Sequence, residues 1–266
     1  LLATCSRIMR ISFIGAGRVA THLAQVLVKQ HEIVDICARQ QIHAETLAQQ
    51  IGARAVDQYI ELNAEIDVLI LAVPDQMIAQ VANDIGQIMP NVLVVHTSGS
   101  TDIAVLNEFL ARAGVFYPLQ TFSLERKIDW TNTPLFIEAT QQDDRVTLQH
   151  IAEQLSQCVY TYTSKQRLSL HLAAVFACNF SNACYDMAKQ IVDAQQVDFS
   201  LLAPLMLETA KKATEHDPKN VQTGPAARGD MNILHLHTQM LKQQQHLDLV
   251  DLYQDLSAYI LQGQKH

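Results

Sequence analysis

The arrangement of apolar and polar positions divides the chain into two parts with different secondary structure. Up to about residue 160, short apolar runs rich in β-branched residues alternate with segments whose apolar residues recur every three or four positions. This alternation predicts strands connected by helices, as in a doubly wound α/β sheet. Beyond it only helical patterns occur, interrupted at Pro218 and at Gly224-Pro225. We therefore predict an α/β domain over 9–160 and an all-α domain over 161–266.

The predicted elements differ in how much of their surface is apolar. The apolar runs predict seven strands and a weaker eighth, at 10–14, 31–38, 53–56, 66–73, 91–95, 115–121, 134–139 and 159–163. The run at 66–73 is almost continuously apolar, which is typical of a central parallel strand covered on both faces. A helix is predicted over 102–113, and another over 165–195. The part of the latter at 171–185 is apolar on almost every side, so we expect it to be buried.

The stretch from Met9 to Ala20 joins a predicted strand, two glycines and a predicted helix. In this Gly-x-Gly-x-x-Ala pattern, Gly15 permits a tight turn and Gly17 lets the backbone approach a pyrophosphate. The free N–H groups of the helix N-terminus would then face the phosphates. We expect a dinucleotide to bind here; the alternative is a glycine turn in another kind of α/β protein. The expected contacts come from the turn and the residues after it, Gly15, Ala16, Gly17, Arg18 and Val19.

The end of the second strand indicates which dinucleotide is bound. NAD-binding folds carry an acidic residue about 20 positions after the glycines, but this region reads Cys37-Ala38-Arg39-Gln40. Arg39 can instead pair with a 2′-phosphate, which favours NADP. The alternative, Asp35 serving NAD, places the carboxylate too early, inside the strand. At the end of the strand over 66–73, we expect four residues to lie beside the ribose and nicotinamide, Ala72, Val73, Pro74 and Asp75.

Polar turns at two further strand ends are candidate substrate contacts. Ser98 and Gly99 follow the strand over 91–95, and Gln120 lies near the end of the next one. The carboxyl ends of the strands are where ligands bind in open α/β sheets. The alternative for Ser98 and Gly99 is a turn that only caps the following helix.

The helical part contains two candidate groups. His171 and Asn182 share one face of an ideal helix, with Asn179 beside them, and buried His and Asn side chains need hydrogen-bond partners that a substrate could supply. Neighbouring helices could satisfy them instead. Arg228, in a loop shaped by Gly and Pro, could clamp a substrate carboxylate. Its alternative is a plain helix connection in which Arg228 pairs with an acid and Asp230 caps the next helix.

Composition excludes several classes of partner. The net charge is −8 without a basic run, so nucleic acid and anionic membrane surfaces are not expected partners. No apolar stretch approaches the roughly 18 residues of a membrane span. Five cysteines are scattered without a Cys-x-x-Cys pair, which indicates a reduced, metal-free, cytoplasmic protein. The eight residues before Met9 lack the features of a signal peptide and are left out of the fold prediction.

Four separated motifs carry a resemblance to a known family: His96-Thr97-Ser98-Gly99, Tyr117 to Phe122, His171 to Asn179, and Thr223 to Asp230. They resemble the bacterial family that joins a Rossmann-like domain to a helical domain of unknown function, in the 6-phosphogluconate-dehydrogenase-like superfamily. Its members are provisionally named NADP oxidoreductases. The resemblance implies a doubly wound Rossmann sheet, a helical domain that commonly forms homodimers, and an active site in the cleft between the two domains.

The resemblance does not supply a mechanism. Hydroxyacid dehydrogenases of the superfamily use a Lys with an Asn four residues later, whereas here Lys165 is followed at that spacing by Ser169. We therefore expect His171 to donate a proton to a carbonyl or imine while Asn179 and Asn182 orient the substrate, with Lys165 as the other candidate acid.

The expected activity is hydride transfer between NADP(H) and a small keto or imino acid. A non-catalytic NADP(H)-binding sensor or scaffold is the alternative, because the Lys-x-x-x-Asn pair is missing. A third hypothesis is that a flavin or deazaflavin, rather than a keto or imino acid, exchanges hydride with NADP.

Overall fold

A computed structural model describes residues 7–263 of the chain. The chain forms two compact units, of which the first ends at Ala174 and the second begins at Val175. The predicted division at residue 160 assigns the helix Ser164–Ala174 to the second domain, whereas it falls in the first of these units. The domain bounds themselves stay a prediction.

The first unit is built on an eight-stranded sheet. Its strands are β1 (Arg10–Ile14), β2 (Glu32–Cys37), β3 (Arg54–Val56), β4 (Val68–Leu71), β5 (Leu93–His96), β6 (Ala113–Pro118), β7 (Leu135–Ala139) and β8 (Val159–Thr161). They are ordered β3-β2-β1-β4-β5-β6-β7-β8. β1 to β6 are parallel, β7 pairs antiparallel with β6, and β8 is parallel to β7. The predicted doubly wound Rossmann sheet is confirmed. β7 was predicted as a strand, but the sequence pattern did not predict its antiparallel direction.

Helices cover both faces of this sheet. They are α1 (Arg18–Leu27), α2 (Gln41–Ile51), α3 (Ile78–Ile88), α4 (Ala104–Asn107), α5 (Gln142–Leu155) and α6 (Ser164–Ala174). Along β4, Ile70 faces a core shared with α1, α2 and α5, and Leu71 faces a second core shared with α3. β4 is buried along its whole length, as predicted for a central parallel strand.

The helix predicted over 102–113 is much shorter in the structure. α4 ends at Asn107, and Ala113 already begins β6. The amide of Val94 donates to the carbonyl oxygen of Arg112, so the chain has entered the sheet by that residue. Ladder hydrogen bonds and complete burial of Ala113 outweigh the helical pattern at the end of this segment.

The second unit is helical, as predicted. A π-helical turn, Val175–Phe180, precedes α7 (Ser181–Asp193), α8 (Ala203–Glu215), α9 (Pro225–Arg228), α10 (Met231–Gln243) and α11 (Leu247–Gly263).

No helix of the described chain is long and apolar enough to cross a membrane. Four cysteines are free thiols, Cys37, Cys158, Cys178 and Cys184; Cys5 lies outside the described residues. No cluster of metal-ligating side chains occurs within residues 7–263.

The expectation that the helix over 171–185 is buried is wrong for the isolated chain. Its most apolar part is the π-helical turn, where Phe176 is 63% exposed and Phe180 is 50% exposed. An apolar surface on all sides predicts that a helix will be covered, but it does not say by which chain. The π-helical turn also interrupts the 100° spacing on which the shared face of His171 and Asn182 was predicted.

Candidate active site

Three loops meet at the carboxyl edge of the sheet because their strands are neighbours. The ladder hydrogen bonds continue past the strand ends: the amide of Gly15 donates to Cys37 O (2.7 Å) and that of Ala72 to Ile14 O (2.8 Å). The amide of Thr97 donates to Leu71 O at 3.2 Å. The loops after β1, β4 and β5 are thereby fixed side by side.

The glycine turn after β1 has the geometry that a dinucleotide requires. Gly15 has a φ of +113°, and a Cβ there would lie 2.2 Å from the carbonyl oxygen of Ala72. A Cβ on Gly17 would meet nothing within 4 Å, so this residue faces open space. No side chain caps α1 and no acidic residue lies in its first turn, so its N-terminal N–H groups are open to an anion.

A cavity of about 360 Å³ extends from this turn along the ends of β2 and β4. The predicted cofactor residues in its lining are Gly15, Ala16, Gly17, Arg39, Ala72, Val73 and Pro74. A neighbouring cavity is lined by Arg18. Asp75 and Val19 follow residues of these linings in the chain but are in neither lining themselves. The glycine cradle and this cavity fit a dinucleotide.

Arg39, the residue predicted to distinguish NADP from NAD, lies in the cavity wall. It is exposed there and makes no ion pair within the described chain. The Asp35 carboxylate, by contrast, is completely buried and accepts hydrogen bonds from Arg54 Nε and the amide of Asn63, both at 2.7 Å. Asp35 is thus occupied in the interior, which argues against its serving a ribose. His43, which sequence reasoning missed, lines the same cavity from the first turn of α2.

The loop after β5 is held by its own hydroxyls and by Asp75. Ser98 Oγ accepts hydrogen bonds from the amides of Ser100 (3.1 Å) and Thr101 (2.9 Å), and Ser100 Oγ donates to the Asp75 carboxylate. Ser98 therefore stabilises the turn itself, but it does not cap α4, whose N-cap is Ile103 without a side-chain hydrogen bond. Its contact with a substrate stays a prediction. The bond between Ser100 and Asp75 connects this loop to the one after β4.

His171 lies against this loop and against β6. Its Nδ1 is 3.3 Å from the hydroxyl of Tyr117, and the two rings meet edge to face. A Cβ on Gly99 would lie 2.5 Å from Nδ1 and 2.8 Å from Cζ of Tyr117. Only a glycine fits at position 99 while both rings keep these positions. His171 is half-buried, so part of its ring remains accessible.

A buried arginine fixes the helix that carries His171. Arg167, one turn earlier on α6, is 1% exposed and donates hydrogen bonds to the Glu138 carboxylate and the carbonyl oxygen of Thr101. Glu138 also accepts from the amide (3.0 Å) and hydroxyl (2.8 Å) of Ser164. This network joins α6 to β7 and to the loop after β5. A buried arginine between two elements distant in sequence leaves no local signal, so the sequence did not reveal it.

His96 is a buried neutral group beneath the loop. Burial lowers the pKa of His96 to about 3, and the Arg167 guanidinium acts in the same direction. Its Nδ1 accepts the amide proton of Ser98 at 3.1 Å, which places the ring proton on Nε2. His96 is thus part of the support for the turn.

The remaining predicted site residues are distributed over both units. Lys165 is exposed on α6, and Gln120 Oε1 accepts from the amide of Thr121 at 2.8 Å. Asn179 and Asn182 are exposed residues of the second unit, whereas His171 belongs to the first. Their common site stays a prediction.

Arg228 ends α9 and is exposed. It makes no ion pair among residues 7–263, so the alternative in which it pairs with an acid is not seen there. Asp230 caps α10 by accepting from the amide of Ile233 at 3.3 Å, as that alternative also proposed.

Two family models match the chain. Residues 133–260 match a domain of unknown function, DUF2520, and residues 10–99 match the family described as NADP oxidoreductase, coenzyme F420-dependent. No curated protein matches.

Solved structures share the fold over almost the whole chain. BF3122 from Bacteroides fragilis, provisionally named an NADP oxidoreductase, is 38% identical with a TM-score of 0.89, over 96% of this chain and 98% of that one. TM1727 from Thermotoga maritima is 22% identical with a TM-score of 0.79, over 96% and 100%. A reductive aminase from Aspergillus terreus in complex with NADPH and ethyl levulinate is 15% identical with a TM-score of 0.72, over 96% and 93%.

Proposed function

Because the chain belongs to the family of NADP oxidoreductases in which a Rossmann-like domain is joined to DUF2520, we propose that it transfers hydride between NADP(H) and a small keto or imino acid. Its general class is that of the NAD(P)-dependent oxidoreductases, and its cofactor is NADP. The proposal that the substrate is a keto or imino acid depends on the residues of the candidate active site. The reductive aminase that shares the fold also binds NADPH, which agrees with reduction of a C=O or C=N bond.

The observation that carries this proposal is the connection between the dinucleotide cavity and His171. Pro74 lines the cavity, and the next residue, Asp75, accepts the hydrogen bond of Ser100. The residue before Ser100 is Gly99, whose backbone lies against the His171 ring. The proposed nicotinamide surface and the proposed acid are therefore connected through two loops that are hydrogen-bonded to each other at one edge of the sheet.

The residues divide the work as follows. Gly15, Gly17 and the start of α1 bind the pyrophosphate, and Arg39 binds the 2′-phosphate. The bound cofactor supplies a hydride, which carries both electrons of the reduction. His171 supplies the proton that the substrate oxygen or nitrogen needs.

Further roles belong to the same proposal. Lys165 is the other candidate acid, Asn179 and Asn182 orient the substrate, and Arg228 binds its carboxylate. Ser98, Gly99 and Gln120 are the proposed substrate contacts from the first unit.

Transfer of deuterium tests the proposed reaction. The protein is incubated with NADPH deuterated at C4 and with a panel of 2-keto acids, each with and without ammonium, and the products are analysed by mass spectrometry. We expect deuterium on the carbon that becomes the alcohol or amine centre. If NADPH binds but its deuterium is never transferred, the sensor or scaffold alternative replaces this proposal. Transfer only to an added flavin or deazaflavin would also overturn it.

Arg39→Ala is expected to weaken NADPH binding about 10- to 100-fold and to change NADH binding less than twofold. Arg39 would lose a charge-assisted contact of about 1.5–3 kcal/mol that only the 2′-phosphate makes. Isothermal titration calorimetry measures both affinities, with Arg145→Ala, a half-buried arginine on α5 outside both cavities, as the control. Equal losses for the two dinucleotides would remove the case for 2′-phosphate recognition.

We also propose that the protein is a homodimer held partly by α8. Except for the half-buried Met206, every residue of this helix is exposed, including Leu205 (63%) and Leu207 (72%). A helix of this length derives most of its stability from packing an apolar face. The second half of α8 carries the ion pairs Lys212–Glu208 and Lys211–Glu215, which suit solvent. The apolar first half is the part that a second copy would cover.

Leu205→Glu combined with Leu207→Glu is expected to convert a dimer into a monomer. Side chains two positions apart point to different sides of a helix, so a partner surface is expected to bury at least one of the two leucines. That leucine would lose about 1.5–3 kcal/mol of burial, so the dissociation constant should rise at least about tenfold. Sedimentation equilibrium measures the mass, and Lys211→Ala on the polar half of α8 serves as the control. A wild-type monomer, or a double variant that remains dimeric, would contradict this assignment.

A further inference from the structure

Tyr117 is the side chain that contacts the candidate acid most directly, and no motif argument gives it a role. It lies in β6, and its hydroxyl is 3.3 Å from Nδ1 of His171. The ring centroids are 6.3 Å apart and the ring planes are inclined at 69°, so the two rings meet edge to face. The two residues are 54 positions apart in the chain, and the contact exists only because the fold brings α6 to the end of β6.

Gly99 closes the other approach to the same nitrogen. A Cβ at this position would lie 2.5 Å from Nδ1 and 2.9 Å from Cγ of the His171 ring. The Nδ1 edge of the imidazole is thus covered by the Tyr117 hydroxyl and by the backbone of the loop. Of the two ring nitrogens, Nε2 is the one left to face a ligand.

We propose that Tyr117 is a positioning residue, which holds His171 through Nδ1 so that Nε2 alone exchanges a proton with the substrate. This inference rests on the proposed function, in which His171 is the acid. During reduction the Nε2–H bond breaks, its electron pair stays on Nε2, and the proton passes to the substrate oxygen or nitrogen. Nδ1–H remains bonded to the Tyr117 oxygen before and after the transfer, and solvent returns a proton to Nε2.

The surroundings keep Tyr117 in the form that this role requires. Burial raises the pKa of the Tyr117 hydroxyl, so it stays neutral at physiological pH and offers a lone pair to Nδ1–H. Two nearby charges act on it in opposite senses: the Arg167 guanidinium lowers the pKa of Tyr117 and the Asp75 carboxylate raises it. Arg167 is itself paired with Glu138, and His96 stays neutral at that pH.

Tyr117→Phe tests the inference without deleting the ring. In the wild type the Tyr117 oxygen accepts from Nδ1–H, so its loss should remove the preference for a proton on Nδ1 and move the ¹⁵N signals of the His171 ring. These signals are measured by NMR in the cofactor-free protein with ¹⁵N-labelled histidine, and the His171→Ala spectrum identifies them. We expect kcat to fall about tenfold with an unchanged Kd for NADPH.

Tyr162→Phe is the matched control. Tyr117 and Tyr162 both pack against Phe136, with ring centroids 6.2 and 4.9 Å away, but of the two only Tyr117 contacts His171. Unchanged His171 signals in Tyr117→Phe, or equal changes in both variants, would overturn the positioning role. The NMR arm needs neither substrate nor cofactor, so it decides this contact even if no substrate is turned over and the proposed function fails.

Gly99→Ala tests the same arrangement from the opposite side. Its methyl group would meet both rings, so we expect the His171 signals to move and kcat to fall with the Kd for NADPH retained. Gly86→Ala is its control, because a Cβ there would lie 2.4 Å from the carbonyl oxygen of Phe109, which follows α4 and does not belong to this loop. It should lower stability and leave the His171 signals in place. A Gly99→Ala protein with wild-type signals would contradict the proposed packing.

Discussion

His171→Ala is expected to lower kcat about 100- to 10,000-fold while the Kd for NADPH stays within twofold of the wild type. General acid catalysis typically contributes rate factors of this size, and the variant has no group at this position to protonate the substrate. Affinity should persist because His171 is absent from the lining of the dinucleotide cavity. Steady-state kinetics with the substrate found by deuterium transfer, together with calorimetry, measure the two quantities.

His150→Ala is the control for this prediction. His150 lies on α5, is bonded to Gln154 at 2.9 Å, and lines neither cavity near the glycine turn. A fully active His171→Ala enzyme would end the assignment of His171 as the acid and would turn attention to Lys165. Loss of NADPH binding together with turnover would show that His171 acts through the cofactor site instead.

Gly15→Ala is expected to lower the stability of the protein, whereas Gly17→Ala is expected to lower its affinity for NADPH. Gly15→Ala should destabilise the protein by about 1–3 kcal/mol, because Ala cannot adopt a φ of +113° without strain and its methyl group would overlap the carbonyl oxygen of Ala72. Gly17→Ala should leave stability within about 0.5 kcal/mol, because its φ of −80° suits any residue and its Cβ enters open space. That space is where we place the pyrophosphate, so NADPH affinity should fall at least tenfold.

Denaturant unfolding of the cofactor-free proteins and calorimetry with NADPH separate the two effects. Each variant serves as the control for the other, since the substitution is the same and the positions are two residues apart. A Gly17→Ala protein that binds NADPH normally would contradict the placement of the pyrophosphate. Wild-type stability in Gly15→Ala would contradict the close approach to Ala72.

The sheet and the cofactor turn were predictable because their signals are local. A strand such as β4 is apolar throughout since both of its faces are covered, and the glycines follow β1 immediately. The missing carboxylate after β2 and the presence of Arg39 could likewise be read in sequence. These features depend on residues within one βαβ unit, whose geometry is nearly invariant.

The elements that were mispredicted depend on distant partners. The helix over 102–113 stops early because the residues from Arg112 onward pair with β5, a competition that periodicity does not contain. The apolar helix after His171 was predicted to be buried but is exposed in the isolated chain. The prediction was wrong because an apolar pattern indicates that a surface will be covered without indicating which chain covers it. The proposed homodimer is one way in which it would be covered.

The candidate site was predicted as single residues and not as an arrangement. His171 and Gly99 were both singled out, but their contact, and the bond to Tyr117, arise only when α6 lies beside the loop after β5. Arg167 and Glu138, which hold α6 there, were missed because a buried ion pair between separate elements has no spacing rule. The chemistry of a site can be guessed from residue types, whereas its support requires the fold.

Titration of the wild-type protein with NADPH and then with NADH tests the central claim most directly. The glycine turn, the open start of α1 and Arg39, which has no ion-pair partner within residues 7–263, together predict that NADPH binds at least tenfold more tightly than NADH. Isothermal titration calorimetry gives both constants without any knowledge of the substrate. Equal affinity for the two dinucleotides, or no binding of either one, would contradict the account.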